Sequence, residues 1–317
     1  MSACKTVSCF ALGAAMLFGA SIQVAAKRPL RSGRSTAPTE LDMQVLLDRA
    51  GFSPGEIDGN RGQNSRRARL AFQTAHGLNP AMRGGNALLD ALGAGHVETV
   101  TSYTITDKDA AGPFSETIPE DMTEKANLPG LYYTSVLEAL GEKFHSAPAL
   151  LKRLNPHAQF VAGEHLRVPN VSLDAVPAHA GIVTVVVSKK TSALTVYNQT
   201  HQVVFHAPVT SGSAHDSLPL GRWMVISVQR HPTFNYNPAL FWDADPANAK
   251  ATIAAGPNNP VGVVWIDINK PHYGIHGTSE PGRIGYAASH GCVRLTNWDA
   301  SRLASLVAKG TSIVFEQ

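Results

Sequence analysis

The chain has 317 residues, too many for one small core, so two or three domains are expected. A formal net charge of +3 is too weak to argue for a nucleic-acid partner, and the one basic run, Lys27, Arg28, Arg31 and Arg34, reads as a solvated linker. Frequent glycine and proline, 27 and 20 residues, suit a loop-rich protein containing β-structure.

Residues 1–26 have the build of an export signal. Lys5 supplies a weak positive start, Phe10 to Ile22 is an apolar run, and Val24-Ala25-Ala26 places small residues before a cut after Ala26. That run is short for a membrane span, which needs roughly 20 residues. No other stretch is apolar enough to cross a bilayer. The protein is therefore expected to be exported to the periplasm or cell wall, with no transmembrane span after signal removal. Residues 27–39, rich in Pro, Ser, Thr and Arg, read as a linker.

From Glu40 the pattern turns helical, with Leu41, Val45, Leu46 and Leu47 on one apolar face. Gly51-Phe52-Ser53-Pro54-Gly55 breaks that helix, and Ile57-Asp58-Gly59 forms a turn. Arg66 to Ala75 predicts a second helix offering Ala68, Leu70, Ala71 and Phe72 to a core. Together with Phe72-Gln73 and Gly77-Leu78, residues 40–93 resemble the small peptidoglycan-binding helical domain of wall enzymes; the alternative is a helical spacer. Residues 94–130 read as a connector. Val100 to Thr106 alternates enough for one strand, and Gly112-Pro113 and Ile118-Pro119 break any regular structure beyond it.

Residues 131–170 read as a compact unit. Ser135 or Thr134 caps a helix whose apolar face is Val136, Leu137, Leu140 and Phe144. Pro148 opens a second helix carrying Leu150, Leu151 and Leu154, and Asn155-Pro156 ends it. Gly163-Glu164 turns into a short strand, Leu166 to Pro169. Leu154-Asn155-Pro156 and the run from Gly163 to Pro169 resemble a LysM domain. The resemblance implies a βααβ fold that binds glycan strands.

Residues 182–317 show many short strands between Gly/Pro turns, which suggests a mainly-β sandwich or open barrel with one late helix. Asn297 is expected to cap that helix over Trp298 to Lys309, with Gly310 ending it. The long Pro/Asn-rich segment 231–260 has little strand pattern and reads as a flap over a cleft. Trp223 and Trp265 read as core.

Cys4 and Cys9 fall in the expected signal, so Cys292 would be the one thiol left, without an internal disulfide partner. It sits in Ser289-His290-Gly291-Cys292-Val293-Arg294, with His276-Gly277 upstream. A thiol with a free pKa of about 8.5 needs a base or a favourable field to attack a carbonyl. A histidine from another strand suits that better than a sequence neighbour, which favours His276 over His290. A backbone carbonyl near Gly277 is expected to hold its tautomer. The amides of Gly291 and Cys292 are natural oxyanion donors.

His276-Gly277-Thr278, Gly285 and the run Ser289 to Arg294 resemble the L,D-transpeptidase catalytic domain, often called YkuD; Pro219, Gly221 and the run Gly256 to Gly262 agree. The resemblance implies Cys292 as the acyl-accepting nucleophile and His276 as the base. Ser289, His290, Gly291 and Gly277 would line the site, with Arg294, Tyr273 and Tyr286 contacting substrate. Arg294 would fork onto a substrate carboxylate, or else form a buried structural ion pair. No cofactor is implied. The partner would be peptidoglycan, with a stem peptide, an envelope protein or a free D-amino acid as amine acceptor. Hydrolysis by water would make the protein an L,D-carboxypeptidase. The rival readings are a metal site on His272, His276, His290 and Cys292, and a silent wall-binding protein. On either enzymatic reading the N-terminal units are expected to locate the enzyme and take no part in its cleft.

Overall fold

The computed structural model describes residues 38–81, 85–171, 183–245 and 247–317. The expected signal at 1–26 and all but the end of the linker lie outside the described residues.

The first three helices are α1 (Glu40–Arg49), α2 (Gln63–Ala75) and α3 (Asn86–Ala91). Thr39 and Asp42 close a capping box on α1, fixing where it starts. Met43, Leu46, Leu47, Phe52, Ala68, Phe72, Leu88 and Leu92 form their shared core. Strand β1 (Val100–Thr104) follows, then four helices, α4 (Asp107–Ala110), α5 (Met122–Ala126), α6 (Val136–Lys143) and α7 (Pro148–Leu154), and strand β2 (His165–Pro169). Ser135 caps α6, and Pro148 occupies the first turn of α7, where its missing N–H costs nothing.

β1 and β2 pair antiparallel, from Val100 opposite Pro169 to Thr104 opposite His165. The first strand of this unit therefore lies within 94–130, the segment expected to be a connector, and Leu131 to Thr134 forms no strand. The sequence pattern shows an alternating run but not its partner some 60 positions away. This unit also shares a core with α1. Val45 and Ile57 pack with Ile105, Leu140, Phe144, Leu150, Leu151, Leu166 and Val168.

The remaining strands are β3 (Thr184–Ser188), β4 (Ala193–Tyr197), β5 (Val203–Pro208), β6 (Thr210–Ser211), β7 (Gly221–Arg230), β8 (Phe234–Tyr236), β9 (Ala251–Ile253), β10 (Val264–Ile268), β11 (Gly274–His276), β12 (Val293–Arg294) and, after helix α8 (Asn297–Leu306), β13 (Ser312–Glu316). Nine of them form one sheet in the order β5-β4-β3-β13-β7-β10-β11-β12-β6. Its two edge strands, β5 and β6, are joined by Val209 alone. A sheet whose edges are neighbours in the chain has to roll up, so this one is a nearly closed barrel-like sheet. Alternating burial along β3 and β10 sends Val185, Val187 and Ile266 inward. They meet Phe205, Val225, Ile275, Val293, Leu303 and Phe315 in the core under α8.

Thr296, not Asn297, caps α8, accepting from the Asp299 amide, and the helix stops at Leu306, three residues short of the expected end. Both are cap-forming residue types, and Asn297 is used otherwise. Its Oδ1 accepts from the amides of Val263 and Thr278, and its Nδ2 donates to Pro257 O.

The upstream units pack directly on the sheet. The Gly51-Phe52-Ser53 turn pairs with edge strand β5: Ser53 N donates to His206 O at 2.8 Å, and His206 N to Gly51 O at 2.9 Å. An otherwise open edge is thereby covered. Ser53 Oγ donates to Asp299 Oδ2 at 2.8 Å, Arg302 Nη1 to Asp48 O at 3.1 Å, and the His145 ring stacks on Trp298 with centroids 5.2 Å apart. Among the described residues no helix is long and apolar enough to cross a membrane.

Candidate active site

Strands β11 and β12 lie side by side and parallel, with Ile275 opposite Val293 and His276 opposite Arg294. Residues two apart on a strand share a face. Ile275 and Val293 therefore enter the core, while His276 and Arg294 face the other way. Cys292, one step before β12, falls on their side. All three line a cavity of about 650 Å³.

The imidazole of His276 is nearly fully buried. Its Nδ1 lies 2.7 Å from Gly277 O. A carbonyl only accepts, so Nδ1 carries the proton and Nε2 keeps its lone pair. Burial drives this imidazole down to about 3; the Arg294 cation adds to the shift and the Gly277 hydrogen bond opposes it. Trp265, opposite His276 on β10, stacks on its ring at 5.4 Å and lines the same cavity. The expectation that Trp265 is plain core is corrected here, because cross-strand pairing puts it on the cavity face.

Cys292 is half-buried. Its Sγ lies 3.7 Å from His272 O, to which the thiol donates. Burial raises the thiol above its ordinary value, while the Gly274 amide and Arg294 pull the other way. The resting pair is thus a neutral thiol and a neutral imidazole. Ser289 shapes the turn before the thiol. Its Oγ donates to Cys292 O at 2.6 Å and accepts from Gly212 N at 2.7 Å. Gly291 has φ +95°, and a Cβ there would sit 2.6 Å from the Tyr273 ring. Glycine is thus required both for the backbone conformation and for the approach of Tyr273.

The other sequence-derived candidates divide. His290, Tyr273 and Arg294 line the cavity. Arg294 is half-buried, and no ion pair or partner for its Nε is present among the described residues. That argues against the structural ion pair and leaves a cation open to the cavity. Ser289 is buried beneath the loop rather than lining the site. Gly277 contributes its carbonyl to His276, and its amide is taken by Val264 O at 3.2 Å, so it offers no oxyanion donor. Tyr286 is 59% exposed and borders a different, small cavity with Gln44, Pro54 and Gly62. The turn after Arg283 swings it toward the start of α2, away from the thiol. Among the described residues no three His, Cys, Asp or Glu side chains group so as to hold a metal ion.

The segment expected to be a flap does border the cavity, through Phe234, Tyr236, Phe241 and Asp243 among others. Within it β8 and β9 pair as a two-stranded sheet. His290 Nε2 lies 2.8 Å from Asp243 Oδ1, linking this segment to the cysteine loop. Glu120, Asp121 and Met122 border the cavity too. These three residues belong to the 94–130 segment read as a connector, so the cavity wall extends upstream of the catalytic domain without involving residues of the two units expected to bind wall.

The sequence model of the YkuD family, the L,D-transpeptidase catalytic domain, matches residues 182–315. This segment is an L,D-transpeptidase catalytic domain. YkuD of Bacillus subtilis, a protein named as an L,D-transpeptidase, is 29% identical over 184 residues, covering 57% of this chain and 93% of that protein. That share is larger than the catalytic segment, so the likeness runs upstream of it. YbiS of Escherichia coli, likewise so named, is 27% identical over 189 residues, covering 57% of this chain and 60% of that protein. An L,D-transpeptidase from Mycobacterium smegmatis aligns in structure over 43% of this chain and 58% of its own, with 20% identity and a TM-score of 0.35.

Proposed function

We propose that the protein is a peptidoglycan L,D-transpeptidase acting through Cys292. The observation that carries this reading is the shared face of β11 and β12, where Cys292, Arg294 and a His276 locked in one tautomer border one cavity. Sγ attacks the carbonyl of the third residue of a tetrapeptide stem, and the thiol proton passes to His276 Nε2. The amides of Gly291 and Cys292 receive the oxyanion. The intermediate collapses with cleavage of the C–N bond, and His276 returns the proton to the departing D-alanine amine. The resulting thioester is attacked by an acceptor amine. Its proton goes to His276, the new amide forms, and the thiolate leaves and is reprotonated.

The low proton affinity of His276 suits a pair that charges only together. A buried imidazolium alone is unfavourable, but beside a newly formed thiolate it is compensated. Arg294 receives a substrate carboxylate. The reaction runs outside the cytoplasm, following the expected signal, and the upstream units hold the chain on glycan. Water as acceptor would give L,D-carboxypeptidase action at the same centre.

The test is intact-protein mass spectrometry with a tetrapeptide muropeptide. The expected result is an adduct on Cys292 short by one D-alanine relative to the added stem. Loss of D-alanine without any Cys292 dependence would overturn the reading.

A further inference from the structure

The segment from Ile118 to Leu131 precedes the catalytic domain in sequence, yet it is bound into the active-site hairpin. Leu131 N donates to Ala255 O at 3.0 Å, and Asn258 N donates to Leu131 O at 3.0 Å. Asn258 Nδ2 also donates to Tyr132 O and Glu138 Oε1, at 2.9 and 2.8 Å. The approach is close enough to require glycine: Gly256 has φ +150°, and a Cβ there would lie 2.1 Å from Leu131 O.

The apolar contacts agree with the hydrogen bonds. Leu131, Tyr236 and Ile253 form a buried cluster, with Ile118, Met122, Leu128, Phe234 and Phe241 packed around it. A two-stranded hairpin alone is marginal in water. Here it gains an apolar backing, and most of that backing comes from upstream. Beyond the clamp, Glu120, Asp121 and Met122 form part of the wall of the cavity that holds Cys292.

We propose that residues 118–131 are a working part of the substrate cleft: they clamp the β8–β9 hairpin and complete its wall. Leu131 and Met122 are positioning residues. They touch the hairpin rather than the reacting atoms, so they govern how well a peptide is held and not how fast Cys292 reacts. The kinetic arm of the test rests on the transpeptidase reading; the two other arms do not.

The experiment uses the full chain and the variants Leu131→Ala, Met122→Ala and, as the conservative replacement, Leu131→Met. Three quantities are read: hydrogen exchange over residues 232–245, the ratio of Cys292 labelling rates by a bulky fluorescent maleimide and by iodoacetamide, and KM against kcat for a tetrapeptide stem. In Leu131→Ala the hairpin amides should exchange at least fivefold faster. The maleimide-to-iodoacetamide ratio should rise at least threefold, and KM at least fivefold, with kcat within twofold. Leu131→Met should recover most of each change. Met122→Ala, a milder truncation at the cavity edge, should raise KM with unchanged melting temperature. Hairpin exchange and labelling ratio unchanged in Leu131→Ala would overturn the proposal, whatever the turnover. Should Leu131→Ala unfold, an unchanged KM in folded Met122→Ala would overturn it equally. Absence of turnover in the unmodified chain would sink the transpeptidase reading and leave the exchange and labelling arms to decide this one.

Discussion

On the thiol side of the cleft, β11 and β12 are inner strands of a nine-stranded sheet, each paired on both edges. On the hairpin side, β8 and β9 pair only with each other, and their support comes from residues such as Tyr132, 126 positions upstream of its partner Asn258. The first arrangement holds a few atoms in one geometry. The second holds a surface, and its order depends on how firmly the backing is attached. On the proposed function, chemistry and access are carried by separate parts of the chain, and changes in the two should be separable by kinetics.

The largest effect is expected on the thiol side. Cys292→Ala should remove turnover, a loss of at least about 10³-fold, because no other described residue can form the thioester. Its thermal midpoint should stay close to that of the unmodified chain, since the thiol is half-buried and its hydrogen bond to His272 O is long, at 3.7 Å. Retained transpeptidation would break the assignment.

His276→Ala should lower kcat by about 10² to 10⁴, the usual range for a positioned general base. His290→Ala should cost less than about tenfold, since its Nε2 is engaged by Asp243 on the hairpin side. Steady-state rates of the two variants decide between the histidines. A reversed order would transfer the role of base to His290.

A smaller effect concerns charge. Arg294 lowers the thiol against the upward pull of burial. Arg294→Gln should therefore move the pH midpoint of Cys292 alkylation upward. The measurement is the iodoacetamide rate across the alkaline range. A downward shift would mean that the guanidinium does not face the thiol.

The smallest effect lies away from the cleft, where α6 meets α8. Burial raises Glu142 to about 8, opposed by a hydrogen bond with Asn297. A carboxyl that holds its proton longer folded than unfolded favours the folded state most at low pH. That contribution is lost as pH rises, from the ordinary carboxylate range up through about 8. Glu142→Gln should flatten this fall, gaining on the order of 1 kcal/mol at pH 9 relative to pH 6. Thermal midpoints at the two pH values test it; an unchanged slope would place the cost elsewhere.

How much of this is legible in the sequence depends on the range of each interaction. Cys292 and His276 stand in short runs, and the carbonyl that fixes the His276 tautomer belongs to the next residue, so local reading reaches all three. The rolled β-sheet with its late helix is signalled by strand-length runs between turns. Trp265 escapes such reading because its place in the cavity depends on pairing with His276, which alternation within β10 does not reveal. Tyr286 is misplaced by it because the direction of the 283–287 turn is set by packing against α2. The partner of β1, and the use of Leu131 as backing for the hairpin, rest on contacts spanning from about 60 to more than 100 positions. An apolar residue looks the same to a sequence whether it serves its own unit or another.

The separation of chemistry from access is tested most directly by single-turnover acylation of Cys292, followed by mass as the stem concentration is varied, in the unmodified chain, His276→Ala and Leu131→Ala. The account predicts that His276→Ala acylates slowly even at saturating stem. It predicts that Leu131→Ala reaches nearly the unmodified limiting rate but needs at least about fivefold more stem to do so. A limiting rate that falls as far in Leu131→Ala as in His276→Ala, in a folded protein, would contradict it.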